Sequence, residues 1–320
     1  MTTFLHKKFR INLKQKLNIP TGSTLLLAIS GGQDSLCLLK LSLDLQKQYD
    51  LRLGIVYIDH QWRYDTYINS KHLINFIKQY KIPTYLYQIQ PTIYSECESR
   101  NLRYQLLIQV AKKYNYNIIA TAHSCTDQVE NCLQYMIRGT SLDGINSLVW
   151  SRKINKTIRL IRPILNFKRS EISWFCKHFQ LPVWSDFTNL YYDSPRNRIR
   201  QELMPYLQNH FQGNIEDHIN QFLNSTCIDC EYLRQNTIKA YQKSKHNHLL
   251  ALNQSILSSQ HIAIQTRVLQ LFFLHNFHKS IPPQLLVKIS SLHTKNNNKI
   301  NSIFIKGLTI NYYQEWIYVK

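Results

Sequence analysis

The earliest regular pattern in the chain is an unbroken apolar run at residues 24–29, Thr-Leu-Leu-Leu-Ala-Ile. A run this short, without polar alternation, predicts a strand buried on both faces. Just past a Gly-Gly pair, leucines at 36, 38, 39, 41, 43 and 45 predict a helix. The same exchange recurs downstream: a strand over Leu53 to Ile58, a helix over Ser70 to Tyr80 stopped before Pro83, and a strand over Thr84 to Ile89. A helix over Leu102 to Tyr114 and a strand over Ile118 to Ala122 complete the series. Strands alternating with helices predict an α/β fold, a doubly wound parallel sheet covered on both faces.

Beyond residue 144 the signal thins. Ile158 to Ile164 reads as extended, Lys168 to Phe179 as helical, and 186–200 as a polar, arginine-rich loop leading into a helix. A domain boundary is expected near 215, dividing residues 1–215 from a smaller, mainly helical region at 216–320. In that region 216–243 and 258–278 have helical periodicity and 293–299 reads as a turn. Ser302 to Ile305, Leu308 to Tyr312 and Trp316 to Val319 read as short closing strands. No internal repeat is visible.

Composition then narrows the function classes. Of 320 residues 44% are hydrophobic and 18% charged, which argues against disorder, and no apolar run reaches the roughly 20 residues of a membrane span. Lys and Arg number 39 against 19 Asp and Glu, a net charge of +20 that favours polyanionic partners, nucleic acid first. Twenty Tyr and thirteen Phe add surfaces able to stack on unpaired bases. The seven Cys, at 37, 97, 125, 132, 176, 227 and 230, are scattered, so a reducing compartment is expected rather than a disulfide framework. The first twenty residues hold Lys7, Lys8, Arg10, Lys14 and Lys16 but no apolar signal core, so no targeting peptide is expected.

The chemistry is concentrated where the first strand meets the first helix, at Ser30-Gly31-Gly32-Gln33-Asp34-Ser35. Unpaired helix N–H groups and the helix dipole favour an anion there. Two glycines permit close backbone approach to phosphate, Ser30 and Ser35 offer hydroxyls, and Asp34 offers a carboxylate to magnesium. No Lys follows Gly32, so this is not a Walker A loop. The plainer reading is a glycine turn with Asp34 capping the helix.

Ser-Gly-Gly-x-Asp-Ser after a first strand resembles the pyrophosphate loop of the ATP pyrophosphatase (PP-loop) superfamily. Within it the chain resembles the tRNA(Ile)-lysidine synthase family. That likeness is carried by Ile58-Asp59-His60-Gln61-Trp62-Arg63, Glu98-Ser99-Arg100-Asn101-Leu102-Arg103-Tyr104 and Ala122-His123-Ser124-Cys125-Thr126-Asp127-Gln128-Val129-Glu130-Asn131. It continues through Arg138-Gly139-Thr140-Ser141-Leu142-Asp143-Gly144, Ile161-Arg162-Pro163-Ile164-Leu165, Asp186-Phe187-Thr188-Asn189 and Arg196-Asn197-Arg198-Ile199-Arg200. These blocks span about residues 20–207, and the chain is similar in length to the family's short forms. The family pattern His-x-x-Asp-Asp-Gln-x-Glu-Thr has Asp where this chain has Thr126, and Thr where it has Asn131.

The resemblance implies a carbon–nitrogen ligase acting on the wobble cytidine, C34, of a tRNA(Ile) with a CAU anticodon. ATP adenylates the cytidine C2 oxygen and releases pyrophosphate; L-lysine then displaces AMP, giving lysidine and moving decoding from AUG to AUA. On this footing Ser30, Gly31, Gly32, Gln33, Asp34, Ser35 and Asp59 bind ATP, with Asp34 holding Mg2+ and Asp59 near ribose or base. Asp127 and Glu130 bind and deprotonate lysine. Arg100, Arg103, Arg138 and Arg196 are candidates for phosphate or tRNA contacts. Arg196, Arg198 and Arg200 alternate too closely for all to face one ligand, and an ion pair with Asp186 is the other reading for them. His123 either touches nucleotide or closes its strand. Cys227 and Cys230 form a C-x-x-C that favours an alternative, a tRNA thiolase of the same superfamily using cysteines or an iron–sulfur cluster, although two thiols are too few for a four-ligand site. A non-catalytic RNA-binding module is the third reading, against which the intact loop argues. Codon-biased Asn, Lys, Ile and Tyr together with the short form suggest a plastid-encoded protein in the stroma, with a bacterial cytoplasm as the alternative. The oligomeric state is open, a homodimer included.

Overall fold

The computed structural model describes residues 2–59, 66–89, 96–184, 194–211, 213–291, 301–305 and 307–319. His60 to Arg63, Asp186 to Asn189 and the turn expected at 293–299 lie outside the described residues. The chain forms two compact units, Met1–Leu223 and Asn224–Lys320.

In the first unit α1 (Phe4–Ile11) runs into a wider helical turn at Asn12–Lys16, followed by β1 (Thr24–Ile29), α2 (Gln33–Tyr49), β2 (Arg52–Asp59) and α3 (Thr66–Lys78). The order continues with β3 (Thr84–Gln88), α4 (Glu96–Lys113), β4 (Ile118–Ala120), α5 (Cys125–Ile137), α6 (Leu142–Ile145), β5 (Ser151–Lys153), β6 (Arg159–Ile161) and α7 (Arg169–His178). After 194 come α8 (Pro195–Arg198), a wide turn at Ile199–Leu203, α9 (Met204–His210) and the start of α10 (Ile215–Ser244). The strands make one sheet in the order β3-β2-β1-β4-β6-β5, all parallel except the edge strand β5. Doubly wound architecture is visible in β1 itself. Leu25, Leu27 and Ile29 point into a core with α1, α2 and α7, while Leu26 points into a second core with Leu107 and Val110 of α4. Each fully buried leucine contributes about 1.5–3 kcal/mol. The chain leaves β1 toward β2 and β3 on one side and returns as β4 on the other, so β1 and β4 flank the topological switch point where such sheets bind ligands.

Close packing decides one residue choice. A Cβ on Gly54 in β2 would overlap the buried phenol of Tyr116, so any other residue there requires Tyr116 or the strand to shift.

The second unit begins within α10, downstream of the boundary expected at 215, because Glu216, Asp217 and Asn220 in the first turns of α10 hydrogen-bond to residues of the first unit. Its remaining elements are β7 (Ala251–Asn253), α11 (Gln254–Ser258), α12 (Ile262–Phe277), α13 (Pro283–Ser291), β8 (Asn301–Ile305), β9 (Leu308–Tyr313) and β10 (Trp316–Val319). An antiparallel sheet ordered β7-β10-β9-β8 buries Leu252, Ile310 and Ile317 in one core with Val268, Phe273 and Ile289 of the helices.

Candidate active site

The turn after β1 is shaped for an anion. Gly31 has φ +84°, a conformation that side chains resist, and Gly32 caps α2 in extended conformation, so the first N–H groups of α2 open outward. Ser35 Oγ donates to Gly32 O at 2.8 Å and accepts from Ser30 N–H at 3.2 Å, pinning the loop to its own helix.

This loop lines a cleft of about 350 Å³ at the switch point. Ser30, Gly32, Asp34 and Ser35 line it from β1 and α2, Arg100, Arg103 and Tyr104 from α4, and with them His123, Asp127 and Arg196. Val56, Ile58 and Leu107 make an apolar patch on its wall. The structure therefore brings together most of the residues expected from the sequence. Gly31 and Gln33 are not among the lining residues; Gly31 acts through its backbone turn. Asp59 is buried at the end of β2, next to lining residue Ile58 but not itself lining the cleft. Arg138 is exposed at the C-terminus of α5 and does not line it either.

Two carboxyl groups in the cleft are driven apart. Asp34 Oδ1 is buried without a hydrogen-bond partner among the described residues. Burial and then the Asp127 carboxylate push Asp34 up to about 6, against the opposing pull of Arg169 and Arg200. Asp127 is also buried, which by itself raises its pKa, but Arg196, His123 and hydrogen bonds from Ser124 outweigh burial and hold it below the usual carboxylate range. Asp127 Oδ2 accepts from the backbone N–H of Ser124 at 2.8 Å and from its hydroxyl at 3.0 Å, a capping box that starts α5. Oδ1 accepts from Arg196 Nη2 at 2.5 Å. A carboxylate has about four acceptor positions, so three donors leave roughly one toward the cleft.

Glu130 departs from the role expected of it. Its side chain is 0% exposed and is held by Arg200 Nε at 2.5 Å and Arg200 Nη2 and Arg196 Nε at 2.9 Å. A carboxylate so enclosed has no face for a lysine ammonium; it aligns the two arginines, and Arg196 joins it to Asp127. Sequence reasoning passed over Arg200 as a partner of this acid, although the four-residue spacing of 196 and 200 was the available signal for one helical face.

Two further residues border the site. His123 shares a hydrogen bond with Thr121 Oγ1 through Nδ1 at 3.0 Å, and burial, with Arg162, Arg196 and Arg100 opposing the influence of Asp127, lowers it to about 3. It is therefore neutral. Arg162 is buried, donates Nη1 to Val149 O at 2.6 Å and leaves Nε without a partner among the described residues. Nothing in its Ile-Arg-Pro setting marked it as buried. Thr126, where the family pattern has Asp, donates its hydroxyl to Glu216 Oε1 at 2.5 Å, so a carboxylate still lies beside the start of α5 but comes from α10. Cys227 is exposed and Cys230 buried on α10. Among the described residues no group of three or more His, Cys, Asp and Glu is placed to hold a metal ion.

A glycine-turned anion loop at the switch point of a doubly wound sheet defines a PP-loop, ATP-using protein, and residues 5–207 match the model of the PP-loop domain family. The fold agrees: the U34-tRNA thiolase NcsA from Methanococcus maripaludis, solved with its [4Fe-4S] cluster, superposes with a TM-score of 0.54 at 17% identity, covering 68% of this chain and 77% of that one. The chain belongs to the tRNA(Ile)-lysidine synthase family. It is 43% identical over 320 residues to the chloroplastic tRNA(Ile)-lysidine synthase of Gracilaria tenuistipitata var. liui, covering 99% of both chains. It is 36% identical to that of Pyropia yezoensis, covering 99% of this chain and 96% of that one. The tRNA(Ile)-lysidine synthase of Nostoc sp. is 34% identical, over 99% of this chain and 97% of the other.

Proposed function

We propose that the chain ligates L-lysine to C2 of the wobble cytidine of a tRNA(Ile) with a CAU anticodon, at the expense of ATP. The observation that carries this reading is a cleft lined both by the phosphate loop and by Asp127, a carboxylate held below its usual pKa range beside Arg196. In the first step the cytidine C2 oxygen attacks the α-phosphate and the bond to pyrophosphate breaks. The N–H groups that open the α2 N-terminus bind the charge that collects on pyrophosphate. In the second step an amine of lysine attacks C2 and the adenylated oxygen leaves with AMP. Asp127, kept ionised, binds the lysine ammonium through its remaining acceptor position and takes the proton that must leave it.

The residues present fit a magnesium ion: Asp34 Oδ1 is orphaned, and its pKa is raised first by burial and then by the Asp127 carboxylate, both of which a bound cation would offset. Asp34 would hold the ion, which supplies charge neutralisation for the ATP phosphates. Arg100 and Arg103 line the cleft from α4 and are assigned to phosphate. Arg138, exposed beyond the cleft, is assigned to tRNA, and Asp59 to the ribose side of the nucleotide. The first unit is the catalytic domain and the second the tRNA-holding region. The chloroplastic relatives support a plastid setting, and no helix among the described residues is long and apolar enough to cross a membrane.

The test follows pyrophosphate release with and without tRNA(Ile), and lysine incorporation into that tRNA. Release stimulated by tRNA together with lysine transfer supports the proposal. Release with transfer from a sulfur donor and none from lysine overturns it in favour of a thiolase.

A further inference from the structure

The first turns of α10 grip the helix that carries Asp127. Thr126 Oγ1 donates to Glu216 Oε1 at 2.5 Å, and Asn220 Nδ2 donates to Cys125 Sγ at 2.7 Å. Lys168, the N-cap of α7, pairs through Nζ with Asp217 Oδ2 at 2.7 Å. From the α7 side the Cys125 N–H donates to Phe167 O at 2.9 Å. The two residues that open α5 are thus held on both flanks, by α10 and by the segment before α7. A hydroxyl donating to an ionised carboxylate is among the stronger neutral-to-charged contacts. Glu216 is half-buried, and after burial its charge is the next influence raising the Cys125 thiol, which places the carboxylate close against α5.

What this grip controls is the aim of one side chain. Asp127 Oδ2 is committed to Ser124, within the same turn, so its side chain is fixed relative to that turn. Oδ1 is held in turn by Arg196 Nη2, so its position follows the placement of the turn together with that guanidinium. Asp127 follows Thr126 directly, so displacement of residue 126 swings the carboxylate.

We propose that Glu216 is a positioning residue for Asp127, acting through the Thr126 hydroxyl; this rests on the reading of Asp127 as the lysine-binding group. Glu216 does not line the cleft. It supplies from α10 the negative group beside the start of α5 that the chain itself lacks at position 126.

The experiment compares the full-length parent with Thr126→Val, Glu216→Ala and Glu216→Gln, measuring KM for lysine, KM for ATP, kcat and Tm with saturating tRNA. Thr126→Val keeps the side-chain shape and removes only the donor, so it remains informative if Glu216→Ala fails to fold. Thr126→Val and Glu216→Ala are expected to raise the lysine KM by about tenfold, the scale of a sub-ångström misplacement, with the ATP KM within about twofold. Glu216→Gln retains an acceptor oxygen and is expected to recover most of the loss. A lower Tm with an unchanged lysine KM overturns the proposal and leaves Glu216 a brace between helices. Equal rises in both KM values, or no rescue by Gln, overturn it as well. Parent protein that transfers no lysine at all overturns the functional reading beneath it, an outcome separable from the others because it appears before any variant is made.

Discussion

Asp34 is held in a state that suits a ligand better than it suits the fold. Its folded-state pKa of about 6 lies above the ordinary 3.8, so between those values the native chain keeps a proton that the unfolded chain has released. Stability from this group is therefore present at low pH and is lost as pH rises through about 6. Asp34→Asn is expected to melt at a higher temperature than the parent at pH 8, to match it near pH 4, and to have no turnover at either. Calorimetry beside a pyrophosphate assay checks this; unchanged Tm at pH 8, or retained activity, contradicts it. Asp127 and Glu130 separate by a different route. Asp127→Asn removes a charge-assisted contact worth roughly 1.5–3 kcal/mol, so lysine use should weaken about 10- to 150-fold while pyrophosphate release continues. Arg200→Met leaves buried Glu130 short of its principal partner and is expected to destabilise the protein by about 3 kcal/mol, partly restored by adding Glu130→Gln. At this scale the placement of Ser30, Gly32, Asp34, Ser35 and Asp127 around one cleft was legible, because each stands at or just before the start of a helix that follows a strand of the sheet. The enclosure of Glu130 was not, since it depends on two arginines some 66 and 70 positions downstream.

Secondary structure followed the apolar pattern wherever an element buried a continuous face. The strands β1, β2, β3 and β4 and the helices between them lie where short apolar runs and helical spacings placed them, and β6 and α7 follow the weaker signals after 144. Several of the elements left unassigned are short or masked by charge. Three-residue strands β5 and β7 are too short to show alternation, and α6 has four residues. In α1 the buried Leu5 and Phe9, four apart, are masked by Lys7, Lys8 and Arg10. Its continuation is fixed by tertiary contacts, Asn12 Nδ2 donating to Pro163 O at 2.8 Å and Asn166 Oδ1 at 2.7 Å. Gly54 is a sterically tight position in β2. Gly54→Ala forces Tyr116 out of the core beside α4 and is expected to cost about 1–3 kcal/mol, read as a lower urea midpoint with an unchanged slope. An unaffected midpoint would show that the strand can shift to admit the methyl group.

The molecule as a whole is a cation facing a polyanion. With a net charge of +20 the chain should bind tRNA largely through phosphate neutralisation, so affinity should fall by tenfold or more between about 50 and 200 mM salt, while the ATP KM moves far less. Filter binding across a salt series measures this, and a flat dependence would remove charge from the account. The division between the two compact units lies inside α10, whose first turns belong with the first unit through side-chain contacts that leave no mark on periodicity, whereas the sequence shifts from alternating strands and helices to helical periodicity near 215. The central claim is a covalent change at one nucleotide. Mass analysis of the anticodon fragment of tRNA(Ile), after incubation with the protein, ATP and lysine, tests it directly. The predicted result is a wobble cytidine heavier by lysine less one water, formed only when ATP is present; an unmodified cytidine, or one whose gain in mass is a sulfur-for-oxygen exchange, would contradict it.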